Sequence, residues 1–85
     1  MSNNIKIAKN LFDTYNNALL TLNNSKIYAS YDETLEVYGV ITDLVCNKLI
    51  KLLGLKNNDK NFSFICMKVQ EMNGNFKNII DYYDL

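Results

Sequence analysis

Three long stretches of this chain repeat apolar residues at helical spacing, and no proline interrupts any of them. That periodicity restricts the fold to packed amphipathic helices more tightly than any composition figure does. In the first stretch, from about Asn4 to Asn23, Ile5, Ile7, Ala8, Leu11, Phe12, Tyr15, Ala18, Leu19 and Leu22 fall on one arc of about 160°. Lys6, Lys9, Asn10, Asp13, Asn16, Asn17 and Thr21 take the opposite side. Asn23 and Asn24 tolerate left-handed backbone and end the helix. Residues 26–31 read as a short link or an edge strand.

A second helix is expected from Asp32 or Glu33 to Leu53. Ser30 and Glu33 have capping-box spacing, and Gly54 sits where a C-terminal glycine belongs. Its apolar arc is about 200° wide, with Val40 and Ile50 outside even that, so it must touch more than one neighbour. The third stretch, Lys60 to Asp84, keeps one phase: Phe62, Ile65, Cys66, Val69, Met72, Phe76, Ile79, Ile80 and Tyr83 lie within about 140°. The stripe passes through Asn73-Gly74-Asn75 without slipping, which predicts one helix kinked at Gly74. In such a helix Gly74→Ala gains about 0.5–1 kcal/mol. A short hairpin turning at Asn-Gly is the alternative, and would make the fold α+β.

The expected fold is therefore all-α: a single helical domain over residues 1–85, with three main helices in a small bundle completed by oligomerisation. A chain of 85 residues folds to roughly 5,200 Å² of accessible surface, so its core is adequate but not generous. Phe64 and Met67 project away from the main stripe of the third stretch, and Tyr82 returns to that side. With Val37 and Leu44 on the wide second helix, they form the expected interface of a homodimer or higher even oligomer.

Composition excludes several chemistries. Nine Lys balance nine acidic residues, and the chain has no His, Arg or Trp. It therefore lacks imidazole for Ser-His or Cys-His catalysis and guanidinium for bidentate phosphate binding. No glycine-rich phosphate loop is present. The two cysteines, Cys46 and Cys66, are too few for a disulfide-built scaffold and cannot complete a tetrahedral metal site. Both fall on apolar stripes, where small buried hydrophobes resistant to thiol reagents are expected; a disulfide or a reactive thiol is the alternative. No catalytic residue, metal or cofactor is expected.

Residues 48–60 hold Lys48, Lys51, Lys56 and Lys60 against Asp59 alone. Lys56 and Lys60, with Asn57, Asn58 and Asn61 nearby and Tyr28 and Tyr31 as stacking faces, are the candidate contacts for an anion or a nucleotide-like ligand. A net charge of zero argues against duplex nucleic acid. The polar N-terminus and the absence of a long apolar run argue for a cytoplasmic protein with no membrane segment. Asn, the commonest residue with fourteen copies, points to an AT-rich genome. The function expected from these features is a non-catalytic interaction protein that binds or occupies a protein partner, such as a phage or mobile-element inhibitor of a host system. The alternative is an oligomeric protein that sequesters a small nucleotide-type ligand.

Overall fold

A computed structural model describes residues 3–24, 31–71 and 74–85, and the side chains of residues 3–21, 39–71 and 74–85. The fold is all-α. Its four helices are α1 (Asn3–Asn24), α2 (Tyr31–Leu52), α3 (Asp59–Gln70) and α4 (Phe76–Tyr83), and no strand occurs among the described residues. One core joins them: Ala8, Phe12 and Tyr15 from α1, Cys46, Leu49 and Ile50 from α2, Ile65 and Val69 from α3, and Phe76 and Ile79 from α4 are all buried. All but Ile50 are residues of the three apolar stripes; Ile50, expected outside the α2 arc, is buried as well. Residues 26–30 of the expected link and the Ser30 cap lie outside the described residues, and Tyr31 opens α2.

α2 ends as its sequence dictates. Gly54 has φ +69°, its N–H donates to the Lys51 carbonyl at 3.2 Å, and the Leu55 N–H donates to the Ile50 carbonyl at 3.0 Å. This pair of bonds is the Schellman arrangement, with Leu55 packed back on the core. The left-handed backbone is what requires glycine here, because a Cβ at Gly54 would meet nothing within 4 Å.

The third stretch departs from expectation: it is two helices, not one. A continuous helix would set Phe64 and Tyr82 about 27 Å apart along its axis. Their rings instead stack at 4.0 Å, so α4 doubles back along α3. The chain leaves the helix at Glu71 (φ −67°, ψ 124°) and restarts behind Asn75, whose side chain accepts from the Lys77 N–H at 2.9 Å. Unbroken phase did not require unbroken helix, because both halves of the stripe face the same core from different directions.

Gly74 sits inside this break, and its N–H donates to the Glu71 carbonyl at 3.1 Å. An added Cβ would lie 3.1 Å from the Glu71 and Lys68 carbonyl oxygens and from the Asn16 amide nitrogen. Those carbonyls are pinned. Lys68 O accepts from the Glu71 N–H, and Glu71 O also accepts from Asn16 Nδ2 at 2.6 Å. Gly74→Ala is therefore expected to destabilise by about 1 kcal/mol, the opposite sign to the continuous-helix expectation, because crowding outweighs the entropy gained in the unfolded chain. Urea unfolding of the variant reads the sign directly.

Candidate interaction surface

Among the described residues, three exposed large apolar side chains share α2. The helix turns Thr42, Val45, Cys46, Leu49, Ile50 and Leu53 into the core and leaves Val40, Ile41 and Leu44 outside, 58%, 42% and 66% exposed. These three occupy adjacent positions of one helical turn and form one face. Val40 and Leu44 lie one turn apart along it. Asp43 and Asn47 flank the face, and Lys48 and Lys51 continue the helix beyond it, so an apolar centre has a polar rim. Leu44, expected at an interface from its place on the wheel, lies at the middle of this face. Val37 falls outside the described side chains.

The second expected patch resolves differently. Phe64 is half-buried, stacked on Tyr82 and edge-on to Tyr83 with ring centroids 5.5 Å apart. Lys68 Nζ lies 5.7 Å from the Phe64 centroid and pairs with Glu71 at 3.1 Å. Phe64 is therefore occupied within its own chain, because the break after Gln70 returns α4 to the α3 face that a straight helix would have left bare. Met67 and Tyr82 remain 52% and 56% exposed. Tyr83 donates its hydroxyl to Asn61 Oδ1 at 2.9 Å, and burial raises its pKa. Tyr83→Phe is expected to cost about 1 kcal/mol in thermal or urea unfolding through loss of that bond.

The lysine loop is built for helix capping. Asn58 caps α3 by accepting from the Asn61 N–H at 2.9 Å, and Asn61 Nδ2 donates to the Lys56 carbonyl at 2.8 Å. Two of the amides expected to serve an anion, Asn58 and Asn61, are thus engaged in turning the chain into α3. Lys56 and Lys60 are exposed, and Asp59 sits beside them in the first turn of α3. Tyr28 lies outside the described residues, and Tyr31 opens α2 without a described side chain.

A shallow groove of about 240 Å³ runs elsewhere, between α1 and α4, lined by Ile5, Phe76, Ile80 and Leu85 with Lys9 and Lys77 beside them. Both lysines are already paired, Lys9 with Asp13 at 2.6 Å and Lys77 with Asp81 at 3.0 Å. Among the described residues no three His, Cys, Asp or Glu side chains converge as metal ligands, and no helix is long and apolar enough to cross a membrane.

Two buried polar residues carry more of the architecture than their place in the sequence suggests. Asn16, assigned by periodicity to the polar side of α1, is buried and ties α1 to the C-terminal end of α3. Thr42 is buried in α2 and hydrogen-bonds the Tyr15 hydroxyl. Asn16 lies at the edge of its apolar arc, where a wheel alone does not separate buried from exposed. Compared with known protein families, curated proteins and solved structures, the chain matches none.

Proposed function

We propose that this chain is a non-catalytic interaction protein that assembles through the exposed face of α2, with a second copy of itself as the occupant. The observation that carries this reading is the Val40, Ile41 and Leu44 face, three large apolar side chains left in water on one helix. Covering a large apolar side chain contributes roughly 1.5–3 kcal/mol, which a small domain has little reason to forgo.

One further feature favours a second copy. Charge along α2 is self-complementary. Glu33 and Glu36 belong to its N-terminal turns, Lys48 and Lys51 to its C-terminal turns. Two α2 helices crossing antiparallel about residues 40–44 set each acidic end against the partner's basic end, as two-fold symmetry requires.

The dimer would act by occupying a further protein, with Met67 and Tyr82 left available on other helices; an inhibitor of a host enzyme or assembly is the specific form this suggests. A charge-swap series tests the register. Lys48→Glu with Lys51→Glu should weaken the dimer, and adding Glu33→Lys with Glu36→Lys should restore it. An unchanged dimerisation constant across the series contradicts antiparallel α2 pairing.

A further inference from the structure

The two cysteines come from different helices and opposite sides of a loop, yet their side chains meet. Cys46, on α2, is fully buried in the core; Cys66, twenty residues later on α3, is half-buried. α2 packs against α3, and this contact brings the two Sγ atoms to 2.8 Å. Both are free thiols, hydrogen-bonded to each other. No third ligand converges on them among the described residues, so their available partner is each other.

We propose that Cys46 and Cys66 form a disulfide-forming site, closed by a small-molecule disulfide of the oxidised-glutathione type that enters at Cys66 and leaves α2 bonded to α3. The order of events follows from exposure. The Cys66 thiolate attacks one sulfur of the small disulfide; a mixed disulfide forms and one small thiolate leaves. Cys46 then loses its proton to solvent and attacks the Cys66 sulfur, and the second small thiolate leaves. Two protein thiols become one disulfide, two electrons pass to the oxidant, and the released thiolates take up the two protons. Closure needs the sulfurs to approach to about 2.05 Å, a small movement from their present separation.

The chemistry of the pair fits these roles. Burial pushes both thiols up, and Asp43 adds to this in each. The hydrogen bond between the two sulfurs acts the other way on Cys66, which is also the more exposed of the pair and so the first to react. Cys46 is raised further by the neighbouring Cys66 charge. That charge vanishes once Cys66 is in the mixed disulfide, while burial, the larger cause, remains, so Cys46 acts second. The pair lies on the side of α2 opposite the Val40, Ile41 and Leu44 face, so the reaction leaves that face unchanged.

The test treats the folded full-length chain with oxidised glutathione, followed by intact-mass measurement and peptide mapping without reduction. The expected product has lost two hydrogens, links the Cys46 peptide to the Cys66 peptide within one chain, and reverts with dithiothreitol. Linking residues twenty apart should raise the folding equilibrium constant on the order of 100-fold. Cys46→Ser should stop at a stable glutathione adduct on Cys66, and Cys66→Ser should leave Cys46 unmodified. Persistent glutathione adducts on the unmutated chain, disulfides between chains, or two thiols that stay free in the folded protein would each overturn the proposal.

Discussion

Phe12→Ala should bring the protein to the edge of unfolding, with a loss of about 3–5 kcal/mol. Phe12 is buried on α1, and its ring packs against Phe76 of α4 with centroids 5.6 Å apart and planes tilted by 55°. α4 has only eight residues, too few to persist alone, and depends on contacts of this kind for its position. Removing the ring deletes a large apolar group and opens a cavity between the first and last helices. A chain of 85 residues has a total stability of about 4–13 kcal/mol, so the variant retains little margin. Urea titration followed by circular dichroism measures this as a lower midpoint at similar slope. A loss below about 1.5 kcal/mol would mean that α4 is not held against α1.

The second large effect concerns assembly. Val40→Lys combined with Leu44→Lys should weaken the proposed dimer by about 100-fold or more while preserving helical circular dichroism. Both side chains are more than half exposed in the single chain, so lysine fits there without disturbing the core. Across a two-fold α2 contact, however, each substitution is met twice. It removes apolar burial of roughly 1.5–3 kcal/mol per side chain and places like charges together. Sedimentation velocity at matched concentrations separates the outcomes. A double variant that associates as tightly as the unmodified chain would place the contact elsewhere.

Much of the architecture is written in the periodicity. α1 and α2, the Gly54 cap and most core residues from Ala8 to Ile79 follow from apolar spacing and one glycine, because a buried helical face leaves a repeating record; Ile50, buried although the wheel put it outside the α2 arc, does not. The break after Gln70 does not follow from spacing, since Phe76 and Ile79 continue the phase of Ile65 and Val69. The available signal was Asn75, a cap residue directly before the Phe76 stretch. Missing that break hid the stacking of Phe64 on Tyr82, which leaves Phe64 half-buried and Tyr82 56% exposed. The outward face of α2 was partly legible: its excessive apolar width is visible on a wheel and singles out Leu44. Which residues of that width stay outside depends on where α1 and α3 pack. Asn16 and Thr42 were illegible for a related reason, because their burial depends on single tertiary hydrogen bonds. The meeting of Cys46 and Cys66 is likewise a product of how α2 and α3 align.

The mass of the unmodified protein in solution tests the central claim most directly. Light scattering coupled to size exclusion, run from low micromolar to several hundred micromolar, should give about 20 kDa at the upper concentrations, two copies of the 9.8 kDa chain. A mass that stays near 10 kDa across the whole range would contradict assembly through α2.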